Sequence, residues 1–146
     1  MYLDFFGLHE KPFSIAPDPR YLYMTEQHKE ALAHLSYGIG DEGGFILLTG
    51  EIGTGKTTIC RSLLTQLPDN TDIAFIINPR LSAAEMLQSV CDDLGIEYAS
   101  DISVRMLTHV LNEFLLESYA RGRNTILIID EAQNLEDDVL EQLRLL

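Results

Sequence analysis

Basic residues are scarce in this chain of 146 residues. Ten Lys and Arg stand against 23 Asp and Glu, a formal charge of −13. That excess of carboxylates repels phosphate backbones, which argues against non-specific nucleic-acid binding by this segment. Cysteine is nearly missing. Cys60 and Cys91 lie far apart, each on a predicted helix. The chain therefore reads as one with free thiols in a reducing cytosol, not as a disulfide scaffold or a thiolate metal site. His9, His28, His34 and His109 show no metal-ligand spacing and read as surface or packing residues. No apolar run approaches the length of a membrane span. The N-terminal stretch MYLDFFGLHEKPF carries acids and lacks the long apolar core of a secretory leader. Neither an internal repeat nor a low-complexity segment is found. What remains is one domain's worth of chain with an ordinary hydrophobic content of 46%.

Against that background one stretch stands out, FILLTGEIGTGKTTICRSLL, residues 45–64. Gly50, Gly55, Lys56 and Thr57 match G-x-x-x-x-G-K-[ST] at every fixed position. Phe45 to Thr49 is nearly all apolar and predicts a strand buried on both faces. After the loop, Ile59, Leu63 and Leu67 recur every four residues, one face of a helix. Glycines between a buried strand and a helix start suit a phosphate. The first N–H groups of a helix have no internal partner, and the helix dipole favours an anion there. Gly50, Gly53 and Gly55 permit positive φ and close backbone approach. The nine residues Gly50, Glu51, Ile52, Gly53, Thr54, Gly55, Lys56, Thr57 and Thr58 form the expected cradle for ATP. Lys56 would hold the outer phosphates and the Thr57 hydroxyl would ligate Mg2+. The bland alternative is a ligand-free strand–helix turn.

A second apolar run, TILIIDEAQNL at residues 125–135, predicts a strand ending in two acids. Asp130 is placed to hold Mg2+, and Glu131 to act as general base on the attacking water. Read structurally instead, both are acids leading a helix. The remaining elements follow from caps and stripes. Residues 1–24, with three prolines in KPFSIAPDPRYLY and the aromatics Phe13, Tyr21 and Tyr23, predict an irregular, ordered arm. That arm packs on the domain body or lines the pocket for the adenine. Thr25 is the expected N-cap of a helix burying Leu32, Leu35 and Ile39. Ile73 to Asn78 predicts a strand. Ser82 and Glu85 form a capping box for a helix that Gly95 ends. A longer helix with Val104, Leu107, Leu111 and Phe114 on its stripe ends at Gly122. Asn134 or Asp138 would cap a last helix carrying Val139 and Leu143. Buried strands alternating with helices predict an α/β fold with a parallel sheet and right-handed crossovers. Ligands bind at the carboxyl ends of such strands, where Gly50, Asn78 and Asp130 fall.

Taken together, the arm FGLHEKPFSIAPDPRYLYMTEQHKEALAHLSYGI, the loop GEIGTGKTT and the segments LIIDEAQNL and LEQLRLL resemble the AAA+ ATPases of the general secretion pathway protein A (ExeA-like) group, including relatives encoded beside exopolysaccharide and sorting genes. The likeness covers essentially the whole chain. It implies a P-loop NTPase of AAA+ type, a three-layer αβα core spanning residues 25–146, with Lys56, Thr57, Asp130 and Glu131 in the roles given above. It also implies that Asn78 restrains the catalytic Glu131 until a partner engages. Capping the strand end is the structural alternative for Asn78.

The AAA+ strand order 5-1-4-3-2 implies a further strand between those of the loop and the acids, and a lid and an arginine finger beyond Leu146. On that pattern the chain reads as truncated before strand 4. Hydrolysis then depends on an oligomeric neighbour supplying the arginine in trans. The implied role is an ATPase supporting type II secretion or exopolysaccharide export, cytoplasmic or at the inner face of the inner membrane, with a cell-envelope partner. The competing readings are a DNA-handling ATPase of the transposition-helper or replication-initiator kind, and a non-catalytic nucleotide switch.

Overall fold

Local chemistry sets most element boundaries. In the computed structural model, which describes residues 2–12, 18–40, 44–77 and 79–146, Ser82 caps α4 (Ala83–Leu94). Its side chain accepts from the Glu85 N–H while the Glu85 carboxylate accepts from the Ser82 N–H, the reciprocal pair expected. The Ser82 N–H and, second, the Ser82 hydroxyl, both donating to the Glu85 carboxylate, hold it below its ordinary pKa. Gly95 ends the helix at φ 69°, a left-handed conformation that costs glycine little. Ser103 caps α5 (Val104–Ala120) by accepting from the Met106 N–H.

Residues 1–66 and 67–146 form two compact units. The first holds α1 (Tyr2–Phe6), a 3₁₀ turn (Pro19–Tyr21), α2 (Glu26–Gly40) and α3 (Lys56–Leu64). The short α1 corrects the expectation of an irregular start. Gly7 adopts φ 62°, and Leu8 N–H and Gly7 N–H donate back to Leu3 O and Asp4 O. This is the paired closure that a left-handed residue makes at a helix end. The expected aromatic packing of the arm also needs correction. Phe13 lies outside the described residues, and Tyr21 and Tyr23 are exposed. Polar bonds order this part instead. Arg20 donates to Asp18 and Glu10, and the Tyr21 hydroxyl donates to Glu10. These bonds lower the pKa of both carboxyls. Thr25 caps α2 as predicted, its hydroxyl accepting from the His28 N–H. The helix packs on α3, with Leu32, Leu35, Ile59 and Leu63 buried.

The predicted strand at 45–49 is not one. Residues 44–50 run without regular structure, and Phe45 and Leu47 are 83% and 81% exposed. A strand exists through its neighbours. Among the described residues no second strand pairs with this run. Ile46 is the member of the run that reaches α2. A Cβ on Gly38 would stand 2.4 Å from its Cδ1, so a side chain there would require Ile46 to shift.

The second unit holds β1 (Thr71–Ile76), α4, α5, β2 (Asn124–Ile129), a 3₁₀ turn (Ala132–Asn134) and α6 (Asp137–Arg144). β1 and β2 pair in parallel, in register from Thr71 opposite Asn124 to Ile76 opposite Ile129. Parallel neighbours need a crossover, and α4 and α5 supply it. Among the described residues the sheet has these two strands, not the three expected. The core joins Ala74 and Ile76 with Met86, Leu87, Val90 and Cys91 of α4, Leu107 and Leu111 of α5, and Val139 and Leu143 of α6. Cys91 is a packing residue here, and burial pushes its thiol pKa up. Asp93 reaches back to accept from the Phe75 N–H, which occupies a donor on the outer edge of β1. At the other end of the strands, Arg123 clasps Asp72 with both its Nε and Nη2, and Ser118 donates to the same carboxylate. Glu136, not Asn134 or Asp138, is the N-cap of α6, without a side-chain bond.

Candidate nucleotide-binding site

The loop enters α3 through two left-handed glycines, Gly53 at φ 79° and Gly55 at φ 87°. Gly55 is the N-cap of α3. Its conformation is one that a β-carbon disfavours, which accounts for glycine there. A Cβ on Gly50 would stand 3.0 Å from Thr54 Oγ1, a tight contact with the hydroxyl that closes the turn. Thr54 closes the turn, its N–H and its hydroxyl both donating to Glu51 O. Lys56, the first residue of α3, folds its ammonium back over the loop and donates to Gly50 O and Glu51 O, each at 2.9 Å. A cation thus sits at the mouth of a turn that leads into a helix N-terminus. Thr57 and Thr58 follow in the first turn, half-buried, while Glu51 and Ile52 project into solvent.

Beside the loop lies an open hollow of about 350 Å³. Asp18, Tyr21, Leu22 and Tyr23 line one side, Thr25 and His28 the next, and Gly53, Thr54, Gly55 and Thr58 the loop side. The arm and the phosphate loop therefore share one cavity.

The acids are built separately, within the second unit. Asp130 follows β2 directly, and its N–H donates to Ile76 O, one step beyond the ladder. Glu131 has φ 54° and ψ 38°, a non-glycine residue in the left-handed region. Its N–H donates to Asp130 Oδ1 at 3.0 Å, and its carbonyl accepts from the Asn134 N–H. The Gln133 amide donates to the Glu131 carboxylate. Asn78, expected to restrain Glu131, lies outside the described residues.

Two contacts escaped the sequence reading. His28, taken there as a surface or packing residue, donates to Thr54 O at 2.9 Å. No local spacing signals a bond between residues 26 apart in sequence. Gln133, two residues from Glu131, carries no sequence signal of its contact, because that contact depends on the left-handed conformation of Glu131.

The first unit carries a glycine-rich turn with a lysine folded over it, opening a helix, and the second a parallel strand tipped with two acids; each is a feature found in nucleotide-binding proteins of the α/β class. The comparisons agree. A family model described as an AAA domain matches residues 39–146, and the chain belongs to that family. Membership implies nucleotide binding, typically with Mg2+. Over all 146 residues the chain is 53% identical to General secretion pathway protein A of Aeromonas hydrophila, and it spans 27% of that protein's length. No solved structure gives a significant match. Among the described residues no helix is long and apolar enough to cross a membrane.

Proposed function

We propose that the chain is the ATP-binding and hydrolysing part of an AAA+ ATPase with a three-layer αβα P-loop core, serving a secretion system. The observation that carries the ATPase reading is the Lys56 ammonium, held on the Gly50 and Glu51 carbonyls where the loop becomes a helix. Two neutral acceptors are weaker partners for an ammonium than a phosphate oxygen, so the γ-phosphate of ATP draws Lys56 outward at little cost. The backbone of Gly50–Thr58 surrounds the β- and γ-phosphates. The arm-lined hollow beside it supports a place for the base, with Tyr21 and Tyr23 at its rim. The Thr57 hydroxyl and the Asp130 carboxylate are the oxygen donors suited to Mg2+. That ion supplies charge neutralisation on the phosphates.

Glu131 accepts a proton from water as the water oxygen bonds to the γ-phosphorus. The bond to the β–γ bridging oxygen breaks, releasing ADP and inorganic phosphate. An arginine from a neighbouring copy stabilises the developing charge, as hydrolysis in this class commonly needs. The secretion role is supported by the name of the relative; the cytoplasmic site of action and the cell-envelope partner are what the family resemblance implies. Changing Lys56 to alanine tests the site. We expect Lys56→Ala to weaken Mg-ATP binding by about a hundredfold in calorimetry, since a bond to a charged group is lost. Affinity equal to that of the parent would refute the site.

A further inference from the structure

His28 is the third residue of α2, and its ring reaches the phosphate loop. Nε2 lies 2.9 Å from Thr54 O. It would also stand 3.5 Å from a Cβ on Gly55. On the other side of the ring, Nδ1 lies 3.3 Å from the Thr25 N, 3.0 Å from Thr25 Oγ1 and 3.1 Å from Tyr23 O. A carbonyl oxygen only accepts. Nε2 must therefore carry a proton in every arrangement that keeps two lone pairs from facing each other. With the proton on Nε2, Nδ1 accepts from the Thr25 N–H.

Backbone direction is the consequence. A trans peptide plane points its C=O and N–H in opposite directions. Holding Thr54 O toward α2 turns the Gly55 N–H away from α2. Among the described residues that N–H meets no protein acceptor. The peptide lies between Gly53 at φ 79° and Gly55 at φ 87°. Glycine has weak conformational preferences of its own, so one hydrogen bond can choose the orientation.

We infer that His28 is a positioning residue: it holds the Thr54–Gly55 peptide with its N–H turned toward the phosphates of a bound nucleoside triphosphate. The inference rests on the nucleotide-binding reading above. In this role His28 acts through the loop backbone rather than by a bond to the phosphates, although its ring also lines the hollow beside the loop. It fixes a donor in advance, so that binding does not have to order the loop.

The test is Mg-ATP calorimetry on the full chain and on His28→Asn and His28→Gln. The glutamine amide nitrogen reaches the place of Nε2, and that of asparagine does not. Both variants keep the main-chain cap of α2, the His28 N–H on Thr25 Oγ1. We expect His28→Asn to bind about tenfold more weakly and His28→Gln to stay within about threefold of the parent. Both should unfold at the parent's midpoint without nucleotide. Parent-like affinity in His28→Asn overturns the inference. Equal loss in both variants also overturns it, because a packing role is then sufficient. A parent chain that does not bind Mg-ATP refutes the nucleotide reading itself and takes this inference with it.

Discussion

At the residue scale, Glu131 combines backbone strain with a carboxylate at the end of a strand. A left-handed conformation costs a non-glycine residue on the order of 1–2 kcal/mol. Such strain gathers where function demands a particular direction. Here φ 54° turns the Glu131 side chain toward Gln133, whose amide holds it. Two opposite outcomes follow. Glu131→Gly should raise stability by about 1 kcal/mol in denaturant unfolding, because the conformation is easy for glycine. Glu131→Gln should leave Mg-ATP binding intact while lowering the hydrolysis rate by about 10² or more, the usual worth of a general base. Unchanged turnover in Glu131→Gln would leave this residue without a catalytic part.

Asp72 gives a pH prediction of definite sign. Hydrogen bonds from Arg123, and secondarily from Ser118, lower its folded pKa against the opposing effect of burial. A depressed carboxylate contributes stability above its unfolded pKa of about 3.9 and loses that contribution as pH falls through the folded value. Asp72→Asn should therefore flatten the decline of the unfolding midpoint below about pH 5, while lowering the midpoint at neutral pH. An unchanged acid limb would show that the ion pair does not persist in solution.

At the element scale, α4 is the best-specified piece. A reciprocal cap starts it, a left-handed glycine ends it, and four successive inward positions fill the core. Removing the cap with Ser82→Ala should cost about 1 kcal/mol. Leu107 of α5 is fully buried within the same core. Leu107→Ala should cost about 3 kcal/mol, the transfer loss plus a cavity that rigid neighbours fill only in part. Chemical denaturation of both variants measures the two effects. Their sequence signals were plain because caps and i, i+3, i+4 stripes are local properties. The strands were less legible. An apolar run of five or six residues reads alike whether it pairs or not. Thr71–Ile76 and Asn124–Ile129 found each other, and residues 45–49 found no partner among the described residues.

At the scale of the whole molecule, an unpaired apolar run exposes surface that water disfavours. Phe45 and Leu47, two residues apart, are both more than four-fifths exposed. Unpaired extended backbone with apolar side chains is a ready template for association. The chain should self-associate at micromolar concentration in light scattering. Phe45→Ser together with Leu47→Ser should reduce that association. A monodisperse parent would show that this run is not the adhesive surface.

The sequence alone determined the phosphate loop, the helix caps and the helical core stripes. Each depends on residues within a turn or two of one another, so spacing carries the information. It also placed two acids directly after an apolar strand. The tertiary structure decided which apolar runs are strands, because a strand is defined by a neighbour distant in sequence. It alone disclosed that His28 reaches across 26 residues to Thr54, since a hydrogen bond between elements leaves no periodicity to read. The Gln133 contact belongs with these despite its short spacing: it depends on the left-handed turn at Glu131, a backbone angle that residue type alone would have argued against.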